Sequence, residues 1–533
     1  MRPTPLFVAV MALAFIPQDR VLDSGVLRFY QGGTEVGRET FRRTTRRLTT
    51  ETVVPKLDTR LRYQIDFTSD GGFAAMEAIA YSLSGDSLIR RYTARADADS
   101  LRLMQAEAAG SERTWSAAGR PDAAIGTQSM AGVADLIARA NRRDTTFSVW
   151  SPEQNATTDM SVTFSADTAR VRAGPMLVLA PVDAAGRAIS LSIPAGGVSA
   201  VRAGAETLEP LAGITRPAPD YSAGPDDPYI AEEVRVPVTP ATSDPFELAG
   251  TLSLPIQGEP PYPAVVMITG SGSQDRDESL WPLVPAYRPF RQIAARLAAA
   301  GIAVLRLDDR ATGASGGNAA SATTPMLADD VRAELAWLRT RPEIDGDRLA
   351  LVGHSEGGVI APMVAADDPR LAAIVIMAGT SKPGSDVLRD QVLWPLSKAE
   401  GLTEGEREQV RTASLEATAA SMPDLNPWMR WFWDYDPLPT ARRVTQPALI
   451  LQGAWDRQVS AGQADTLAAA MRDAGNHDVE LHVFPRLNHL FLVSLQDGSA
   501  SEYAAIERVV IPDEVMDILA NWLTRRLRPE GEM

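Results

Sequence analysis

The sequence predicts two unlike domains: an antiparallel β-rich N-terminal half, and an α/β C-terminal half built on a mostly parallel, doubly wound sheet. Three observations predict this. From about residue 21 to 215, short apolar–polar alternations are punctuated by glycine, the period-two signature of half-buried strands. From residue 229 onward, apolar runs of strand length alternate with helix-length segments, the order of a doubly wound sheet. Between the two lies 216–228, rich in Pro, Asp and Gly, with the composition of a linker. A chain of 533 residues also exceeds what one hydrophobic core usually supports.

Taken in order, the chain opens with Met1-Arg2-Pro3 and the apolar run Leu6 to Ile16, with a small-x-small candidate at Ala12-Leu13-Ala14. This has the form of a secretory signal peptide over residues 1–20, so a periplasmic or secreted location is expected. Strands are expected at Val26–Tyr30, Leu61–Phe67 and Leu88–Tyr92, with turns at Gly32-Gly33 and Asp70-Gly71-Gly72. One helix is expected from Ser129 to Asn141. The arginines at 42, 43, 46 and 47 read as a solvated sheet face. No blade-length repeat is present, and about 190 residues cannot close a seven-bladed propeller.

In the second half (229–533), strands are expected near Ala264–Thr269, Ala303–Leu307, Leu349–Val352, Leu371–Met377, Ala448–Leu451 and Val479–Phe484. Helices fit Phe290–Ala300, Met326–Arg341, Ala461–Arg472 and Pro512–Arg525. Residues 382–440 interrupt the alternation and contain the densest aromatic cluster of the chain, Trp428 to Tyr435. A helical lid is expected there, with Trp431 and Trp433 walling a substrate pocket. The competing reading is that these aromatics only anchor the insertion to the core.

The chemistry-bearing motif is Leu349-Ala350-Leu351-Val352-Gly353-His354-Ser355-Glu356-Gly357-Gly358. A strand running into Gly-x-Ser-x-Gly and then a helix builds a nucleophile elbow, which holds the Ser355 hydroxyl clear of the backbone. A serine needs a base, itself oriented by a carboxylate. Four histidines are available. His354 lies inside the elbow, facing away from the nucleophile, and suits packing or support. His477 sits in a polar turn, and His482 alternates within a strand. His489 follows the last strand on a loop, where catalytic residues concentrate. Asp456, at the carboxyl end of Pro447–Gly453, supplies the acid at the edge where open α/β sheets place their chemistry. Its plain alternative is a cap for the helix near Ala461, with Asp478 as a weaker substitute acid. Oxyanion donors are expected from the amide of Glu356 and, past the Ala264–Thr269 strand, that of Ser271, with Gly272 next.

These segments carry a resemblance. Thr269 to Glu278, Gly301 to Arg310, the Gly353–Gly358 elbow, Trp455–Val459 and Asn488-His489 are together similar to bacterial α/β-hydrolase carboxylesterases of the two-domain EstD-like group. That group is related to serine peptidases of the same fold. The resemblance covers roughly 229–526 and implies hydrolysis of esters of short-to-medium acyl chains through an acyl-enzyme. It departs from the family at Ala311, where members continue the Asp-x-Arg motif with glycine. A peptidase, an amidase or an acyltransferase would use the same three residues. A non-enzymatic binding module on a decayed scaffold is the reading furthest from these.

Composition narrows the partners. A hydrophobic fraction of 45% is normal for a globular protein. A net charge of −16 argues against nucleic acid or an anionic membrane surface. The absence of cysteine excludes disulfides, thiolate metal sites and a thiol nucleophile. No metal or organic cofactor is called for, and no further run has the length for stable membrane insertion. The expected partner is a small-molecule ester, with a homo-oligomer as the remaining option.

Overall fold

The computed structural model describes residues 20–527, except 32–33, 55–58, 83–87, 98, 108–111, 127–128, 153–155, 174–175, 194–197, 204–218, 241–243, 281–283, 285, 320, 399–403, 406, 409–410, 413–426, 500–501 and 504–505. The expected leader, the Gly32-Gly33 turn, the first part of the linker and the middle of the 382–440 insertion lie outside the described residues.

The first sheet contains fifteen strands among the described residues, from β1 (Val21–Gln31) to β15 (Val198–Ala203). Two antiparallel meanders, β1 to β8 (Glu112–Ala118) and β10 (Thr145–Ser151) to β15, are joined by antiparallel pairing of β1 with β15. Alternation sends one face inward, so Leu27, Phe29, Tyr63, Ile65, Leu101 and Leu103 share one core with a single helix. That helix, α1 (Met130–Ala140), occupies the stretch the sequence marks. Ser129 caps its N-terminus by accepting from the Gly132 amide, and Asn141 ends it in a left-handed conformation. The arginine cluster differs from expectation at one position. Arg42, Arg46 and Arg47 are exposed, but Arg43 points inward, bonded to Asp135 at 2.7 Å and lying over the Phe67 ring. Strand period two flips its side chain relative to Arg42, and the Asp135 carboxylate offsets the burial.

Glu39, on β2 (Thr34–Thr44), is fully buried beneath α1, accepting from the Ser129 hydroxyl at 2.6 Å and the Ala131 amide at 2.8 Å.

Among the described residues the second sheet has eight strands: β16 (Tyr229–Val238), β17 (Phe246–Pro255), β18 (Tyr262–Ile268), β19 (Ala303–Leu307), β20 (Ile344–His354), β21 (Ala373–Met377), β22 (Ala448–Gly453) and β23 (Val479–Phe484), in the order β16-β17-β19-β18-β20-β21-β22-β23. Its first pairs are antiparallel, and from β19 (Ala303–Leu307) onward every pair is parallel. Alternate residues divide between two cores. On one face Val266, Ile268, Leu349 and Leu351 meet α3 (Thr324–Leu338), α4 (Gly357–Ala365), the short α7 (Leu438–Ala441) and α8 (Gly462–Asp473). On the other, Val265, Met267, Ala350 and Val352 meet α2 (Pro289–Ala299) and α9 (Asp513–Arg526). Burial on both faces is why these strands read as continuous apolar runs. Among the described residues no helix is long and apolar enough to cross a membrane.

Two elements differ from the sequence reading. The strand before the elbow, β20 (Ile344–His354), starts five residues early, because Ile344 already pairs with Tyr262; the register then shifts across polar Asp345-Gly346-Asp347, and regular pairing resumes at Ala264–Leu349. The described end of the expected linker, 219–228, is bound to the second domain. Arg291 bonds Asp227 at 2.8 Å and the Ser222 carbonyl at 2.9 Å, and Tyr221 packs against Arg276.

Burial pushes the Glu39 carboxyl up to about 7, against its two bonds to the start of α1. From an ordinary value of 4.5 up to about 7, the folded protein holds a proton that the unfolded chain releases. Stability therefore falls as pH rises through that window and is flat beyond it, with a full span of about 3 kcal/mol. Glu39→Gln should remove this part of the decline in thermal melts recorded against pH. Parallel declines in the variant and the wild type would contradict it.

Candidate active site

Every expected active-site residue of the triad lies at the carboxyl edge of the second sheet. Ser355 follows β20, Asp456 follows β22 (Ala448–Gly453), and His489 follows β23. The elbow is tight: Ser355 has φ of 54°, in the left-handed region. Its crossing needs bare backbone. A Cβ on Gly353 would lie 2.0 Å from the Gly357 carbonyl oxygen, and one on Gly357 would lie 2.2 Å from that of Ile268.

His489 Nε2 lies 3.0 Å from Ser355 Oγ, and its Nδ1 lies 2.8 Å from Asp456 Oδ2. Asp456 is 1% exposed and does not cap a helix. Its Oδ1 accepts the amides of Gln458 and Val459, both at 2.8 Å, and Oδ2 also accepts from Gln452 Nε2 at 2.9 Å. The His489 loop is shaped by Asn488, whose Oδ1 accepts the amides of Leu490 and Leu492. Of the other histidines, His477 is exposed and His482 is bonded to Glu480 on the sheet.

His354 does more than pack. Its Nδ1 bonds Glu278 Oε1 at 2.9 Å, and its Nε2 bonds the His489 carbonyl at 2.8 Å. Both partners are acceptors, so the arrangement suits a ring that donates from both nitrogens. Burial opposes the charged ring, but the Glu278 carboxylate and these two bonds outweigh it, and the His354 pKa is raised. Glu278 also accepts the Gly270 amide at 2.7 Å. One carboxylate thus fixes the start of the Gly270–Glu278 loop and, through His354, the main chain of His489. The sequence signal for Glu278 was its place at the end of the motif-bearing loop after β18 (Tyr262–Ile268).

That loop is anchored mainly by the Leu307-Asp308-Asp309-Arg310 segment. Asp308 accepts the Arg276 amide at 2.9 Å and pairs with its guanidinium. Asp309 accepts from the Gln274 amide and the Thr269 hydroxyl, both at 2.8 Å. Burial raises its pKa to about 8 against those bonds. Asp277 is buried against Arg306, and Arg310 pairs with Asp330. Ala311 adopts φ of 61°, the conformation for which glycine is suited.

A cavity of about 360 Å³ opens over Ser355, and Ser271, Glu356 and His489 all line it. The insertion covers it with α5 (Gly384–Lys398) and α6 (Pro427–Asp434). The lining aromatics of α6 are Trp428 and Phe432, which corrects the expectation for Trp431 and Trp433. Positions 428 and 432 are one helical turn apart on the same face. Trp431 instead stacks on Tyr435, and Trp433 is turned well round the helix from Trp428. Val387 and Gln391, from the marked insertion, and Tyr287 and Tyr503, from segments that the sequence did not mark, also line the cavity.

A serine–imidazole–carboxylate chain on the elbow of such a sheet defines the second domain as a serine hydrolase of the α/β-hydrolase fold. Residues 289–508 match the model of the Prolyl oligopeptidase family. Esterase EstD of Thermotoga maritima is 26% identical over 313 residues, which cover 58% of this chain and 70% of that protein. Thiohydrolase apmlB of Arthrinium phaeospermum is 30% identical over 122 residues, 23% of this chain and 36% of the other. Among solved structures, the Pyrococcus furiosus esterase Pf2001 matches at 19% identity with a TM-score of 0.39, over 59% of this chain and all of its own.

Glu278→Gln keeps an acceptor for His354 but removes the charge that offsets burial. The His354 pKa should fall below its wild-type value, read by NMR titration of the four histidine rings. An unchanged titration would contradict the assignment.

Proposed function

We propose that the protein hydrolyses carboxylic esters of short-to-medium acyl chains through an acyl-enzyme on Ser355. The single observation that carries this is the unbroken hydrogen-bonded chain Ser355–His489–Asp456 at the floor of a lidded cavity. Ser355 Oγ attacks the ester carbonyl while His489 Nε2 takes its proton. Asp456 holds the Nδ1–H tautomer and stabilises the imidazolium. The amides of Glu356 and Ser271 take the oxyanion, each donor being worth about 3–4 kcal/mol in such sites. The Gly270 amide is already committed to Glu278. The imidazolium then protonates the leaving alcohol, and water attacks the acyl-enzyme by the reverse route. The cavity volume and the Trp428–Phe432 wall suit a small acyl or alcohol group.

Amide cleavage is the second reading, favoured by the match to the Prolyl oligopeptidase family. Parallel assays of p-nitrophenyl esters and aminoacyl p-nitroanilides separate the two. The basic start and the apolar run from Leu6 to Ile16 support export, and an intact Met1 in protein from native cells would contradict it.

Ser355→Ala should lose nearly all turnover of p-nitrophenyl acetate, about 10³-fold or more, with an unchanged melting temperature. Retained turnover would reject the proposal.

A further inference from the structure

We propose that the Glu356 carboxyl is a positioning residue, coupling the seating of the lid helix α6 to the geometry of the oxyanion loop. This rests on the serine-hydrolase reading of Ser355 and adds a role that the triad does not require.

Glu356 directly follows the nucleophile, so the elbow fixes its backbone and presents its amide beside Ser355. Its side chain is 3% exposed, an unusual place for a carboxyl. Oε1 accepts two donors from distant segments: the Thr324 hydroxyl at the start of α3 and the Trp428 indole N–H on α6, both at 2.7 Å. Trp428 stacks on Phe432, with ring centroids 5.2 Å apart. Phe432 in turn sits against Gly384, where a Cβ would lie 2.3 Å from its ring. The indole bond therefore ties α6 to the elbow, and Phe432 packs the start of α5 against it.

Burial raises the Glu356 pKa, and the Thr324, Trp428 and Ser271 side chains oppose that rise; Oε2, the oxygen that Thr324 and Trp428 leave over, has no hydrogen-bond partner. A buried acceptor lacking its donor is held at a cost, and a hydroxyl beside it can supply that donor by rotating. Ser271 and Glu356 are the two residues whose amides the mechanism uses. Unseating α6 removes the indole from Oε1, leaves Thr324 as the one bonded donor to the carboxyl, and loosens its hold on Ser271. Lid position and oxyanion geometry then change together, which alters kcat more than KM.

The test uses the full chain with p-nitrophenyl acetate, and hydrogen exchange of the peptide covering 427–434. The variants are Glu356→Ala, Glu356→Gln, Trp428→Phe and the double variant Glu356→Ala/Trp428→Phe. Each of Glu356→Ala and Trp428→Phe should lower kcat about tenfold. The double variant should be no worse than the poorer single one, and the peptide should lose protection. Glu356→Gln retains an acceptor for Thr324 and Trp428 and offers Ser271 a donor, so it should recover kcat and protection relative to Glu356→Ala. Losses that multiply, unchanged exchange in Glu356→Ala, or a Gln variant as poor as the Ala variant would each overturn the proposal. If Glu356→Ala does not fold, Trp428→Phe alone decides: full kcat with full protection overturns the coupling. If the wild type proves inactive on esters, the reading of Ser355 fails, while exchange still reports on the lid seat.

Discussion

The site depends on one steric constraint, the crossing of β20, the elbow and α4 beside β18. Ser355 is held at a left-handed φ, a conformation that costs a residue with a side chain about 1–3 kcal/mol. The cost is offset by the packing of both sheet faces and by the bond from the Ser355 amide to the Met377 carbonyl, 2.8 Å. Without Gly353 and Gly357 the backbones could not approach so closely. The strain aims the hydroxyl away from the main chain and toward the only loop imidazole at that edge among the described residues.

Around this point the structure spends buried charge on position. The loop from Gly270 to Glu278 crosses the sheet edge with few apolar side chains, so it cannot be held by packing. It is tied instead by Asp308, Asp309 and Arg306 from the neighbouring strand and its end, and by Glu278 turning back on the loop. Buried pairs of this kind add little net stability, but removing one partner leaves a charge uncompensated, typically about 3–5 kcal/mol. They therefore fix the Gly270–Glu278 loop in one arrangement. His354 extends the same device to the neighbouring loop by gripping the main chain of His489.

Much of this was legible in the sequence, for local reasons. The fold class followed from a change in hydrophobic period, and α1 was readable because Ser129 and Asn141 are good caps. Ser355, His489 and Asp456 could be picked out because the elbow has a fixed motif, the histidines are few, and each residue follows a strand. What was not legible depends on partners far away in the chain. The inward turn of Arg43 depends on which strand face meets Asp135, a matter of one-residue phase. The cavity face of α6 depends on where that helix starts, which moved the lining aromatics from Trp431 and Trp433 to Trp428 and Phe432. Glu278 and Glu356 read as ordinary loop and elbow acids until the histidine, the indole and the hydroxyl that meet them are placed in space.

The proposal that the elbow and the imidazole together turn Ser355 into a nucleophile is tested most directly by covalent trapping with diethyl p-nitrophenyl phosphate, followed by peptide mapping by mass spectrometry. One diethylphosphoryl group is expected on Ser355, with labelling slowed about 10³-fold or more in His489→Ala. Label on a different residue, or labelling of Ser355 at the same rate without the imidazole, would contradict it.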